Sequence, residues 1–232
     1  MTAPPPEGRP VVIAHRGGND LAALDRAKAI GVDLAELDVW LHGGDLEVRH
    51  LKTMGPIPLL WDRWRLVPGW TPRLQFEQVL ESARRDIRLM IDLKSKTLAL
   101  SEALIAVLAR QLPGAPYTVT ARNWPLLAPF EEVAEASIIP SAATRSELAE
   151  LLPSLGERYQ TLSLHRGLVT AELMSELTGR GVATYVWPIN SQAWLERVLA
   201  AGVSGVNTDD LELAAAVVAR RPGAAGAPPP QR

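Results

Sequence analysis

VVIAHRGGND (residues 11–20) and LAELDVWLHGGDLEVRH (residues 34–50) are the two stretches that decide how this chain folds. In each stretch a run of apolar residues ends in polar side chains, which is typical of a buried strand whose C-terminal end reaches a polar site. Histidines exchange protons near neutral pH, and clustered carboxylates bind hard divalent cations. The stretches therefore predict a site that contains His15, Arg16, Glu36, Asp38 and His50.

The alternation of strand and helix continues along the rest of the chain. Eight strand-like segments are separated mostly by helix-like ones, of which the crossover at 121–135 is the least regular. The strand-like segments are 11–15, 34–39, 87–93, 117–121, 136–141, 161–165, 184–189 and 205–209. Helical crossovers between strands indicate a parallel sheet, and eight strands favour an α/β fold of the (β/α)8 TIM-barrel type. A doubly wound open sheet is the alternative.

One strand-like segment, LEVRH (46–50), does not follow this alternation. It comes directly after the turn HGGD, which leaves no room for a crossover. A connection this short forces an antiparallel hairpin. We expect an extra antiparallel strand after the second barrel strand, and we expect it to bring His50 to the polar end of the barrel.

Strand periodicity places several polar side chains on the lumen face of the barrel. Alternate side chains of a strand share a face, so Glu36 lies with Asp38, and Asp92 lies with Lys94. His15 ends the first strand on the same face as Ile13. The active sites of such barrels lie at the C-terminal ends of the strands, where these residues fall. Burying several carboxylates together is costly without a cation or proton uptake.

Composition excludes several classes of function. The chain of 232 residues has a formal net charge of −2 and no cysteine. A net charge this close to zero gives no sign of the basic surface that binds nucleic acid. The lack of cysteine excludes disulfides and thiolate chemistry. The longest apolar run, 98–109, is shorter than the ~20 residues that span a bilayer. We expect no nucleic-acid partner, no transmembrane segment and a cytoplasmic location.

The two ends of the chain differ in composition from the rest. Residues 1–9 and 221–232 are rich in proline, glycine and alanine, which predicts disordered tails. Residues 10–220 are expected to form a single TIM-barrel domain.

An ordered set of motifs resembles the glycerophosphodiester phosphodiesterase family. That family has His-Arg-Gly, then Glu-Leu-Asp-Val, then a second histidine, and later an acidic residue before a hydrophobic-Lys pair. The set in this chain is His15-Arg16-Gly17, Glu36-Leu37-Asp38-Val39, His50, Asp92-Leu93-Lys94, Val186-Trp187-Pro188-Ile189-Asn190 and Gly205-Val206-Asn207-Thr208-Asp209. The match runs in order from about residue 11 to residue 215.

The resemblance implies metal-dependent hydrolysis of glycerophosphodiesters to glycerol 3-phosphate and an alcohol. By position, the metal ligands are Glu36, Asp38 and Asp92, the acid–base pair is His15 and His50, and the phosphate contacts are Arg16 and Lys94. Trp187 and Asn190 are candidates for a wall of the substrate pocket. An all-oxygen site favours Mg²⁺ or Ca²⁺. The expected partner is a small phosphodiester or a lysophospholipid.

The chain also departs from the family pattern. Gly18 stands where the family has a glutamate, Leu51 replaces an aspartate after the second histidine, and Asp92 is shorter than the usual glutamate. Pro188 replaces a common threonine. These departures leave two alternatives open, a lysophospholipase D-type activity and a non-catalytic barrel that binds a phosphorylated ligand.

Several single residues also have simpler interpretations. Asp92 can form a salt bridge with Lys94, His42 is expected to be a solvated turn residue, and His165 is expected to be structural. Asp209 can cap the helix that follows it. The stretch 59–70 holds three of the seven tryptophans and is predicted to be a loop, either a lid on the barrel or a wall for an acyl chain.

Overall fold

The computed structural model describes residues 9–54, 57–62, 65–84 and 86–220. The predicted tails, 1–9 and 221–232, lie outside these residues except for Arg9. The strands are β1 Val11–Ala14, β2 Leu34–His42, β3 Asp45–Val48, β4 Lys52–Met54, β5 Ile57–Asp62, β6 Arg65–Pro68, β7 Leu74–Gln75, β8 Arg88–Leu93, β9 Tyr117–Ala121, β10 Ala136–Ala142, β11 Thr161–His165, β12 Ala183–Trp187 and β13 Gly205–Thr208. The helices are α1 Leu21–Ile30, α2 Phe76–Ala83, α3 Ala99–Gln111, α4 Arg145–Leu151, α5 Ala171–Gly179, α6 Gln192–Ala200 and α7 Leu211–Ala219.

Eight parallel strands close into a barrel. Their order is β1, β2, β8, β9, β10, β11, β12 and β13, and β1 pairs with both β2 and β13. This closure confirms the TIM barrel and excludes the open sheet. The irregular crossover contains a 3-10 helix at Trp124–Phe130 between β9 and β10. None of the helices in the described part of the chain is both long and apolar enough to cross a membrane.

The core has two parts, one on each face of the barrel wall. Residues of β2 that point outward, such as Leu37 and Val39, belong to the large cluster beneath the helices. A smaller cluster fills the base of the lumen and consists of Val11, Ile13, Leu34, Met90, Ile139 and Tyr185. The predicted alternation of faces is therefore confirmed for β1, β2 and β8. The polar residues lie above this apolar base.

Short capping residues set where the helices begin after the loops of the barrel. The side chains of Asp20, Thr144, Thr170 and Ser191 each accept a hydrogen bond from a backbone N–H in the first turn of the helix that follows. Such caps satisfy orphan donors and contribute about 1 kcal/mol each. Asp210 caps α7 in the same way, so the expectation that Asp209 is the cap is wrong.

The expected hairpin strand is present as β3. It pairs antiparallel with β2, with His42 opposite Asp45 and Val39 opposite Val48. The two turn residues, Gly43 and Gly44, have φ values of 62° and 96°. Positive φ at both positions is the requirement of a tight hairpin turn that glycine meets without strain. His42 is exposed in this turn, as predicted.

The prediction of a loop at 59–70 is wrong. Strands β4, β5 and β6 form a separate three-stranded antiparallel sheet. In β5 and β6 Leu60 lies opposite Val67, and Trp61 lies opposite Leu66. Leu60 is buried, whereas Trp61 and Leu66 are 41% and 60% exposed. The segment is therefore a small sheet on which the apolar side chains of Trp61 and Leu66 are exposed, and we call it the β4–β6 insertion.

Candidate active site

Three carboxylates meet in the lumen at the C-terminal ends of two neighbouring strands. Glu36 and Asp38 come from β2, and Asp92 of β8 lies opposite Asp38 in the parallel register. One oxygen from each carboxylate lies within 4.8 Å of the others. Glu36 and Asp38 are almost fully buried. The structure thus assembles the three predicted metal ligands into one cluster.

Lys94 lies between two of these carboxylates. Its Nζ is 2.9 Å from Oδ1 of Asp38 and also donates to Asp92. Burial raises the pKa of Asp38, but the charge and hydrogen bond of Lys94 outweigh it, and the pKa is lowered. The alternative of an Asp92–Lys94 salt bridge is therefore confirmed as a contact. Lys94 supplies part of the positive charge that the cluster needs.

The loop after β1 wraps around the β2 carboxylates. Arg16 has a positive φ of 55°, and its backbone N–H donates to Oε2 of Glu36 over 2.6 Å. The side chain of Asn19 donates to Oδ2 of Asp38, and its own Oδ1 accepts the Asp38 backbone N–H. Asn19 is not one of the predicted site residues, and the signal that could have indicated it is its place next to Gly18, in the loop between the first strand and the first helix.

Gly18 is required by the packing of this loop. Its N–H donates to the backbone oxygen of Glu36, and a Cβ at Gly18 would lie 2.9 Å from the Cβ of Leu37. The absence of a side chain at this position therefore lets the loop pack directly on β2. A side chain at this position would push the loop away from the carboxylates.

His15 is held by a carboxylate from the other end of the chain. Its Nδ1 lies 2.8 Å from Oδ1 of Asp209, and Asp209 in turn accepts a hydrogen bond of 2.7 Å from the side chain of Asn190. The carboxylate can only accept, so Nδ1 of His15 carries a proton and Nε2 is left for chemistry. From the sequence, Asp209 is a candidate helix cap and the last residue of the motif Gly205–Asp209. That motif is the signal that could have indicated its contact with His15.

The charges around His15 alter its pKa. Burial lowers the pKa of His15, but the hydrogen bond to Asp209 and the charge of Glu36 outweigh burial and raise it. Burial also raises the pKa of Asp209, yet the contacts with His15 and Asn190 lower it to about 2. The pair therefore favours a charged imidazole next to a charged carboxylate.

His50 follows the end of the hairpin strand β3. The backbone N–H of Arg49 donates to the backbone oxygen of Asp38, which ties the end of the hairpin to β2. The charge of His50 lowers the pKa of Asp38, so its imidazole is near that carboxylate. The charge of Glu36 therefore acts on His15, and the charge of His50 acts on Asp38.

The donor set fits a hard divalent cation. Burial and the neighbouring Asp38 raise the pKa of Glu36 to about 7, which means that negative charge at this position is not fully compensated by the protein. Three carboxylates with only oxygen donors are the ligands that Mg²⁺ and Ca²⁺ prefer. A cation bound among them would favour the ionised form of all three.

Two aromatic rings lie next to each other where β11 and β12 end. Trp187 ends β12 beside His165 of β11, with their ring centroids 5.2 Å apart in an edge-on arrangement. Nδ1 of His165 accepts the backbone N–H of Gly167. These local contacts support the structural role expected for His165. By alternation Trp187 shares the lumen face of β12 with Tyr185, and Asn190 donates a hydrogen bond to Asp209.

Comparison with known proteins agrees with the predicted resemblance. Residues 183–212 match the model of the glycerophosphoryl diester phosphodiesterase family. These residues span β12, α6 and β13 and include Trp187, Asn190 and Asp209. No curated protein sequence matches the chain.

Solved structures share the fold over nearly the whole chain. A phosphodiesterase from Oleispira antarctica, in complex with the product sn-glycerol-3-phosphate, has a TM-score of 0.74 at 18% identity and covers 90% of this chain and 97% of its own. Glycerophosphodiester phosphodiesterases from Parabacteroides distasonis and Thermotoga maritima both have TM-scores of 0.68. Their identities are 21% and 18%, and they cover 91% and 90% of this chain and 98% of their own. At these identities the likeness establishes the barrel.

Proposed function

We propose that this chain, a member of the glycerophosphodiester phosphodiesterase family, hydrolyses glycerophosphodiesters to glycerol 3-phosphate and an alcohol with the help of a divalent cation. The observation that carries the proposal is the cluster of Glu36, Asp38 and Asp92 at the C-terminal end of the barrel strands, together with His15, which is held by Asp209. The glycerol 3-phosphate product bound by the Oleispira antarctica enzyme supports the substrate class.

Glu36, Asp38 and Asp92 are the residues that would hold Mg²⁺ or Ca²⁺. When bound, the cation supplies positive charge that neutralises the phosphodiester and the charge developing on it. Because Asp38 is also bound by Asn19 and Lys94, its carboxylate is fixed in place before any ligand arrives. Such support by outer hydrogen bonds orients ligands and tunes affinity.

The two histidines move the protons of the reaction. One imidazole takes the proton of the attacking oxygen, from water or from the adjacent glycerol hydroxyl, as the new P–O bond forms. Attack by water gives glycerol 3-phosphate directly, whereas attack by the hydroxyl gives a cyclic phosphate, whose new P–O bond a water molecule then breaks to give glycerol 3-phosphate. The other imidazole gives a proton to the alkoxide as the old P–O bond breaks, so the alcohol leaves neutral. Asp209 stabilises the protonated form of His15, whether His15 acts as the acid or as the base.

Arg16 and Lys94 are proposed to contact the phosphate. Lys94 is 30% exposed in its side chain and carries a proton because three acidic neighbours raise its pKa. Nε of Arg16 is buried and has no hydrogen-bond acceptor in the described part of the chain. A guanidinium N–H in that position suits a phosphate oxygen. Both groups would stabilise charge on the phosphoryl oxygens.

A lysophospholipid is the second candidate substrate. The observation that favours it is the exposed apolar face of the β4–β6 insertion, which begins two residues after His50 and carries Trp61 and Leu66. Trp70, just after the insertion, is 77% exposed. Exposed apolar surface of this kind marks binding sites for apolar groups. An acyl chain on this face would leave the phosphodiester chemistry unchanged.

The deciding experiment is hydrolysis of glycerophosphocholine and of lysophosphatidylcholine, each measured with Mg²⁺, with Ca²⁺ and with EDTA. We expect metal-dependent release of choline and a loss of about 10²-fold or more in His15→Ala and in His50→Ala. Turnover of lysophosphatidylcholine alone would favour the second candidate. No turnover of either substrate with any metal, in a folded protein, would move the assignment to a barrel that binds a phosphorylated ligand.

A further inference from the structure

A buried ion network lies directly beside His50. Its centre is Glu47 of β3, which is 6% exposed and pairs opposite Trp40 of β2. Oε2 of Glu47 accepts a hydrogen bond of 2.8 Å from Nε of Arg49, and Oε1 accepts one of 2.8 Å from Nη1 of Arg73. Buried charges of this kind are costly unless each is paired. One buried carboxylate therefore holds two guanidinium groups in fixed positions.

Arg49 fixes the backbone on both sides of His50. Its N–H donates to the backbone oxygen of Asp38, and its carbonyl accepts the Trp40 indole N–H over 2.9 Å. Its guanidinium lies 4.6 Å from the Trp40 ring centroid and donates from Nη1 to the carbonyl of Leu51. The side chain of Arg49, the residue before His50, is thus bonded to the backbone of Leu51, the residue after it.

Arg73 joins the same network to the far end of the insertion. Its Nη2 donates to the carbonyl of Gly69, just after β6, while Nη1 binds Glu47. Strand β7 also pairs with β3, with Gln75 opposite Glu47. The β4–β6 insertion begins after Leu51 and ends before Gly69. Glu47 is linked to Leu51 through Arg49 and to Gly69 through Arg73.

We propose that Glu47 is a positioning residue that sets the orientation of His50 through Arg49 and, through Arg73, fixes the insertion above it. The inference rests on the proposed function, since it assigns how one of the two proton carriers is aligned. Leu51, which stands where the family has an aspartate, takes part through its backbone, because its carbonyl accepts the hydrogen bond from Nη1 of Arg49.

The test compares Glu47→Gln with Leu177→Ala, a variant of a fully buried residue of α5 that loses stability without touching the site. Displacement of a catalytic group by about 1 Å costs up to about 10²-fold. We expect kcat for glycerophosphocholine to fall about 10- to 100-fold in Glu47→Gln, with KM and metal affinity close to wild type. Arg49→Lys keeps the charge but loses the guanidinium geometry, and should show the same loss.

The second measurement is the NMR spectrum of the imidazole ring protons. The chain has four histidines, so the His50 signals can be assigned with His50→Ala. We expect the His50 signals to shift in Glu47→Gln while those of His165 stay in place. If wild type turns over substrate and Glu47→Gln keeps the kcat of Leu177→Ala, the positioning role is wrong and the function stands. If wild type is inactive, unchanged His50 signals would by themselves overturn the inference.

Discussion

Replacing Asp209 by asparagine removes the charge that holds His15 and leaves the size of the side chain unchanged. The contact that this change weakens is a charge-assisted hydrogen bond of 2.8 Å. Such bonds contribute about 1.5 to 3 kcal/mol. The Asp209 side chain is 38% exposed, and solvent screening therefore places this bond near 1.5 kcal/mol. Loss of the whole bond corresponds to about a tenfold decrease in kcat/KM. This is the upper limit for Asp209→Asn, because the asparagine oxygen can still accept from Nδ1 of His15.

The pH dependence of stability gives a second, independent readout. The pKa of His15 is raised above 6.5, so its share of the stability is present below pH 6.5 and is lost as the pH rises through the folded pKa. The pKa of Asp209 is lowered from 3.8 to about 2, so its share is present above pH 3.8 and is lost as the pH falls through about 2. The stability difference between wild type and Asp209→Asn should therefore be largest between pH 3.8 and 6.5.

The assay is hydrolysis of glycerophosphocholine, together with titration of the His15 ring protons by NMR and urea unfolding across the pH range. In Asp209→Asn the contributions of Asp209 that raise the pKa of His15 are removed, while burial, which lowers it, and the charge of Glu36, which raises it, remain. The His15 pKa should therefore fall. Asn190→Ala, which keeps the His15–Asp209 contact but removes a hydrogen bond to Asp209, should have a smaller effect. A wild-type kcat/KM and an unchanged His15 pKa in Asp209→Asn would refute this reasoning.

Three further predictions concern the metal cluster and the barrel. Glu36→Gln should weaken Mg²⁺ or Ca²⁺ binding at least tenfold by calorimetry, because one anionic ligand of the proposed site becomes neutral; equal affinity would contradict the ligand assignment. Asn19→Ala should lower the free energy of unfolding by about 1 to 3 kcal/mol in urea, since it breaks two hydrogen bonds to the buried Asp38. Gly205→Ala should lower Tm by several degrees, because its Cβ would lie 2.6 Å from the Tyr185 ring; an unchanged Tm would show that the ring can move.

Much of the fold could be predicted because its signals are local. The two-residue period of β2 assigned Glu36 and Asp38 to the lumen, and Gly43-Gly44 specified a tight hairpin. The prediction of a loop at 59–70 was wrong because the tryptophans and arginines of this segment obscure the alternation of polar and apolar residues in two short strands. No sequence pattern in that segment predicts which face of the small sheet lies toward the barrel.

Sequence alone determined the eight barrel strands and the hairpin strand, the lumen face of Glu36, Asp38 and Asp92, and the resemblance that suggested a phosphodiesterase. These properties depend on residue spacing and on backbone preference, which act between near neighbours. Only the tertiary structure decided that Asp209 holds His15, 194 positions away, and that Glu47 joins Arg49 to Arg73. Both contacts exist because the barrel closes and the insertion returns to β3, and neither closure nor return is encoded in any single stretch.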